Sequence, residues 1–278
     1  MTRKIIGYYN GARNESDTDQ LILEIGSQQV CCMIKNAAAQ QVEGFEVFSI
    51  DKNSGDWSDI FYELQSASQI LGRQYRDTHC YYNFEESLII PVEKFNTAAA
   101  EDYLSLVFGE SNFYDIKHDS LLSGDMVNAY RIRKSVHELL GRHFVLYKPH
   151  HSCSKLLDDV RLRDQIPAEF VKIQFYSNHF LLLFIKEKKL QLLRAFSYQS
   201  DDDILYHVLN VTQQFGIHEN EAQLEISGVF DTASVLHQHF GKLFSQVLFD
   251  NIPADTELAS ALAAYPAHYF TPFYKLAV

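Results

Sequence analysis

The chain has no long hydrophobic run. Across its 278 residues the longest strongly apolar stretch is FLLLFI, Phe180 to Ile185, far short of the roughly 20 residues a helix needs to span a bilayer. The opening segment, MTRKIIGYYNGARNESDTDQ, lacks the apolar centre of a secretory signal. Cysteine is scarce: four residues in no paired framework, which fits a reducing compartment. Cys31 and Cys32 are neighbours in an apolar stretch, where a strand turns them to opposite faces as buried thiols. These absences predict a soluble cytoplasmic protein that does not insert into membranes.

Positive charge is short as well. Lys and Arg number 24 against 36 Asp and Glu, a formal net charge of -12, and such a surface repels phosphate backbones. The basic clusters Arg131 to Lys134 and Lys186 to Lys189 are brief and read as solvated helix starts and turns. Nucleic acid is therefore not an expected partner. Neither Gly-x-x-x-x-Gly-Lys nor Gly-x-Gly-x-x-Gly occurs, which removes two common phosphate-binding loops.

What is present is a repeat. At 46% hydrophobic the chain can fill one large core or two small ones, and DIFYELQSASQILG (Asp59 to Gly72) lies over DILYHVLNVTQQFG (Asp203 to Gly216) without a gap. Ile60, Leu64, Ala67 and Leu71 in one copy, and Ile204, Val208, Val211 and Phe215 in the other, mark one helical face. Each copy starts on acidic residues and ends on a glycine, as helix termini favour. Three apolar strands precede each helix: Leu21–Ile25, Val30–Ile34 and Val42–Ile50, then Val171–Tyr176, Phe180–Ile185 and Leu190–Ser197. A short strand follows each, Cys80–Phe84 and Gln223–Ser227. A three-stranded meander, a helix and a returning strand make a ribonuclease-H-like α/β unit, here in tandem.

Between the copies, AAAEDYLSLVFG and KSVHELLG read as helices, and MVNAYRI (Met126 to Ile132) and FVLYK (Phe144 to Lys148) as strands. The polar segment around Pro167 marks a boundary. The expected organisation is an N-terminal tail over 1–17, a first ribonuclease-H-like domain over 18–165 and a second over 166–278. The aromatic-rich stretch AAYPAHYFTPFYKL is expected to close a core.

The duplicated unit, MVNAYRI before a helix, and LEISGVFDTASVLHQHF (Leu224 to Phe240) together resemble the actin-like ATPase superfamily, and within it cytoplasmic pilus-assembly and secretion components. The closer likeness is to a Bacteroidetes family catalogued only as a domain of unknown function, in which a segment like SLIIPVEKF (Ser87 to Phe95) follows the first helix and strand. The fold the resemblance implies is α/β, two tandem ribonuclease-H-like domains in an actin-like arrangement, each with a mixed five-stranded sheet and helices.

That resemblance also implies two phosphate loops, each with an aspartate for Mg²⁺ and a glycine that lets backbone amides approach ATP. In LEIGSQQVCCMI (Leu23 to Ile34) the first loop has Glu24, Gly26 and Ser27. The second, IQFYSNHF (Ile173 to Phe180), has Gln174 and Tyr176 at the matching places, and the purine-side motif retains Ser227 and Gly228. With one jaw of the clamp removed, hydrolysis is expected to be lost. Two readings of the first loop stand side by side: Glu24 as a solvated strand-end residue or as a phosphate-facing carboxylate, and Gly26 as a hairpin glycine or as a site of phosphate approach.

The function this implies is a non-catalytic scaffold or adaptor of the actin-like fold that binds a protein partner and needs no cofactor. The alternative is an ATP-binding protein or slow ATPase with Mg²⁺, using Glu24, Gly26, Ser27, Ser227 and Gly228. A two-metal nuclease would need Glu24, Glu63 and Asn83 or Glu85 together, and the second copy offers no carboxylate at those places. KPHHSCSK (Lys148 to Lys155) places His150, His151 and Cys153 close in sequence, without the second ligand pair that a zinc site wants; no metal site is expected.

Overall fold

Leu21, Leu23 and Ile25 take every second place in one apolar segment, and Val171, Ile173 and Phe175 do the same in another. Alternation of this kind turns one side of a strand toward a core. In the computed structural model, which describes residues 1–10, 19–52, 55–144, 146–217 and 221–278, both sets lie in central strands of sheets.

The elements of the first half are β1 (Thr2–Tyr9), β2 (Asp19–Gly26), β3 (Gln29–Asn36), β4 (Gln41–Ile50), α1 (Trp57–Ala67), β5 (Asp77–Asn83), β6 (Ser87–Pro91), α2 (Ala100–Phe108), β7 (Tyr114–Ser120), β8 (Met126–Arg133), α3 (Lys134–His143) and β9 (Tyr147–His151). Helix α4 (Ser152–Arg161) leads on to β10 (Glu169–Phe175), β11 (His179–Lys186), β12 (Lys189–Ser197), α5 (Asp201–Gln214), β13 (Gln223–Gly228), α6 (Val235–Leu243), β14 (Gln246–Phe249), α7 (Glu257–Ala261) and α8 (Thr271–Ala277). Among the described residues no helix is long and apolar enough to cross a membrane.

The first sheet has the order β1-β4-β3-β2-β5-β9 and the second β12-β11-β10-β13-β14. Leaving β1 aside, the two orders are the same. An antiparallel meander is followed by a strand that returns parallel to its first member, with a further parallel strand outside it. The ribonuclease-H-like unit is thus present twice. On one face of the first sheet, Leu21, Leu23, Ile25, Phe48, Ile60 and Phe61 form a core with residues of α1 and α3. In the second, Val171, Ile173, Phe175, Ile204 and Phe240 do so with α5 and α6. A third, three-stranded sheet, β6-β8-β7, packs Ala129 and Ile90 against Leu104 of α2.

Several local expectations change. The first sheet has six strands rather than five, because residues 2–9, expected within a tail, form β1 against β4; residues 11–18 of that region lie outside the described residues. Helix α1 stops at Ala67 instead of running to Gly72. Ser68 turns extended there, and its hydroxyl donates to the buried Glu46 while accepting from the Ile70 and Leu71 amides at 3.0 and 2.8 Å. Helix α5 has no such diversion, and its Ser200–Asp203 capping box fixes its start. The strand expected over Phe144–Lys148 lies instead at Tyr147–His151.

The chain divides into two compact units, 1–156 with 273–278, and 157–272. The change of unit falls inside α4, and the last residues return to the first. Phe273 there is buried, with its ring centroid 6.2 Å from that of Phe45.

Candidate functional site

Strand register identifies equivalent positions in the two candidate loops. Glu24 faces Cys31 across the first hairpin as Gln174 faces Leu181 across the second, so Gln174 and Tyr176 stand where the first half has Glu24 and Gly26. On the parallel side Glu24 neighbours Tyr81 and Gln174 neighbours Ser227. Ser227 therefore corresponds to Tyr81 and Gly228 to Tyr82.

In the first unit Glu24 is not a solvated strand end. It is 3% exposed, and the Ser152 hydroxyl at the start of α4 donates to its Oε1 at 2.5 Å. Gly26 has no left-handed backbone; a Cβ there would meet the Asn83 carbonyl oxygen at 3.2 Å and that of Gln29 at 3.4 Å, so its small size serves strand packing at the turn. Ser27 is exposed and lines a cavity of about 340 Å³ with Lys52, Trp57, Arg133 and Ser135, balanced by Asp51 and Asp56. Of the three first-loop candidates, Ser27 alone borders that cavity.

Beside Glu24 lies a polar cluster that the sequence did not announce. Asp119 accepts from the Ser154 hydroxyl at 2.6 Å, the His151 amide at 2.8 Å and the Tyr130 hydroxyl at 3.1 Å. Burial pushes its carboxyl above the usual range against the pull of those donors. Burial also lowers His150, although Asp119 opposes that. Asn128 donates to Ser154 at 3.0 Å, while Asn128 Oδ1 and His150 Nε2 are buried without hydrogen-bond partners among the described residues. Cys153 is a buried free thiol, pushed up to about 12 by burial. The KPHHSCSK segment is thus a strand end and a helix start. Among the described residues no group of three or more His, Cys, Asp or Glu is arranged to hold a metal. Glu63, the second carboxylate of the nuclease reading, accepts from the Thr2 amide at 2.7 Å on the exposed side of α1.

The second unit's loop is filled by its own side chains. Tyr176 is 1% exposed, and Gln174 Nε2 donates to its hydroxyl oxygen at 2.7 Å. Its ring stacks on His179, 4.8 Å between centroids, and burial depresses that imidazole to about 4. Ser227 is fully buried, and its hydroxyl has no hydrogen-bond partner among the described residues. Gly228 has φ +87°, and a Cβ there would lie 1.9 Å from the Phe175 carbonyl oxygen. The Gly228 amide donates to the His268 carbonyl at 2.8 Å, so it serves the fold. A phosphate cradle with an acid and a glycine in each loop does not fit these residues.

Below Gln174 on the same strand, Lys172 is 1% exposed and donates to Glu225 at 2.6 Å and to Asp250. Arg163 reaches Glu225 at 2.8 Å and Asp159 at 3.1 Å. Burial opposes the Glu225 charge, but Lys172 and Arg163 hold its carboxyl below the ordinary value.

With this geometry in hand, comparison with known proteins is informative. The model of a family described as "Protein of unknown function (DUF3822)" matches residues 11–247. No curated protein matches by sequence. A Bacteroides thetaiotaomicron protein with an actin-like ATPase fold and unknown function is similar, with a TM-score of 0.78 at 16% identity over 90% of this chain and 97% of that one. A chain of the PilM-PilN type IV pilus biogenesis complex follows, with a TM-score of 0.57 at 13% identity over 94% of this chain and 98% of that one. The fold is therefore that of the actin-like ATPases.

Proposed function

The chain belongs to the DUF3822 family, and from that premise and the two loops we propose that it is a non-catalytic actin-like-fold protein, a scaffold or adaptor that binds a protein partner. One observation carries the reading: the Gln174–Tyr176 pair occupies the second loop and satisfies itself there. Phosphoryl transfer depends on preorganised donors and cations around the phosphate, and a buried tyrosine in their place leaves nothing to preorganise. The similar chain solved within a PilM-PilN complex supports carrying a protein partner over to this one. Four buried free thiols support a reducing, cytoplasmic setting.

A second reading, ATP binding without turnover at the first loop, is favoured by the cavity that joins Ser27 to Lys52 and Arg133. Thermal unfolding with and without millimolar ATP and Mg²⁺ separates the two. A nucleotide at about 100 times its dissociation constant adds roughly 2.7 kcal/mol, a rise of several degrees for a chain of this size. The scaffold reading expects no rise and no phosphate release. A rise that Arg133→Ala abolishes moves the second reading ahead, and phosphate release sinks the first.

A further inference from the structure

The outer strands of the two meanders are equivalent, but only one is covered. Register places Arg194 of β12 where β4 has Glu46: Glu46 faces Cys32 and Arg194 faces Leu182, and these two face Leu23 and Ile173 in the central strands. Along β4 nearly every side chain is buried, because β1 pairs with its outer edge. Lys4 of β1 lies over the Phe48 ring and donates to Glu46 at 2.7 Å, and Tyr9 donates to the same carboxylate. Among the described residues no strand pairs with the outer edge of β12. Its Leu190, Leu192 and Phe196 are left half-buried.

Positive charge predominates on this edge. Lys188, Lys189 and Arg194 are exposed and make no ion pair among the described residues, and Arg194 stands over the Phe196 ring at 5.7 Å. β12 carries no acid; the adjoining turn has one, Glu187. At the strand's start a recess of about 180 Å³ is lined by Arg161, Arg163, Lys188, Ile185 and Leu190, with Asp164 its only acid. Such a row on a chain of net charge -12 is local and opposite to the whole.

We propose that β12 accepts an extended, acidic segment of the protein partner, which adds antiparallel to its free edge with a carboxylate on Arg194 and apolar side chains over Leu192 and Phe196. This inference rests on the scaffold reading and names the partner's chemistry. The first unit supplies the internal precedent, with the charges exchanged: there the sheet carries the acid and the added strand the base. Main-chain hydrogen bonds along an edge give affinity, and side-chain pockets give selectivity. Pairing between two copies of β12 is disfavoured, because it brings like charges opposite each other.

The probe is an octapeptide copied from residues 2–9 with Arg3→Glu and Lys4→Glu, set against the unaltered copy. Binding is followed by fluorescence anisotropy and located by hydrogen exchange on the whole protein. The acidic peptide should bind at least tenfold more tightly and slow exchange over 189–197. Arg194→Glu should reverse the preference, a result that loss of folding cannot mimic. No slowing over 189–197 at millimolar peptide, or an unreversed preference in Arg194→Glu, overturns the proposal and leaves the lysines as guards against edge-to-edge aggregation. Slowing at another strand overturns the β12 assignment while the scaffold reading stands. Phosphate release from ATP would instead remove the scaffold reading.

Discussion

The two halves share a strand order and differ in how each copy is finished. The first sheet gains β1, the three-stranded sheet between β5 and β9, and a buried acid, Glu46, where the second has an exposed Arg194. The second carries a largely buried ion network of Lys172, Arg163, Glu225, Asp250 and Asp159, where register gives Ile22 and His79 in the first for Lys172 and Glu225. Its loop holds Gln174 and Tyr176 against Glu24 and Gly26. The common part is the apolar alternation that builds each core. The polar residues of the loops and of the buried ion pairs differ between the halves, which a fold kept for its shape allows.

Exchanging residues between the halves should break the comparison at its strongest point first. Lys172→Ile writes the first half's residue into the second and strands Glu225 and Asp250 with Arg163 alone; the expected loss is about 4 kcal/mol in urea unfolding. Gly228→Ala follows, at about 3 kcal/mol, since a left-handed backbone is combined with a Cβ on the Phe175 carbonyl. The position that corresponds to it holds Tyr82, so the glycine is a demand of one half only.

Glu46→Gln should cost about 2 kcal/mol and loosen β1, seen as faster amide exchange over residues 2–9. Burial raises the Glu46 carboxyl, but Lys4, Ser68, Tyr9 and the Gln69 amide together bring it below the ordinary value. Its stabilisation is therefore complete above the ordinary glutamate value and is lost as pH falls through the lower, folded one. Wild type and variant should converge in stability once the pH has fallen below the folded Glu46 value, which itself lies under the ordinary glutamate one. The smallest effect is expected for Tyr176→Phe, about 1 kcal/mol, as the Gln174 amide loses a buried acceptor. That variant should not acquire a thermal response to ATP.

Much of this was legible before any coordinates. The central strands and the faces of α1 and α5 follow from periods of two and near four, because those positions meet a helix-covered core. The substitution of Gln174 and Tyr176 for an acid and a glycine was also plain, and their side chains meet as the spacing on one strand face requires. β1 was hidden because an edge strand alternates half-exposed with exposed residues, as TRKIIGYY does, and offers no continuous apolar run. Lys172 alternates with Val171 and Ile173 and so stands on the other face of the strand from the apolar core they build. That face is buried, and a lysine's carboxylate partners on β13 and beyond β14 leave no local signature. Glu24 and Ser152 are 128 residues apart, a distance over which no motif speaks.

The return of residues 273–278 to the first unit sets an order of events during synthesis. All of the second unit, 157–272, is translated before Phe273 and Leu276, which are buried and belong to the first unit. The half that is translated first is thus the half that closes last. Until it does, the Phe273 ring is missing from Phe45 and the Val278 carbonyl, held at 2.6 Å, from Lys155. A released chain that ends before residue 273 would hold every residue of the second unit while the first lacks Phe273 and Leu276, a state in which a chaperone has something to hold.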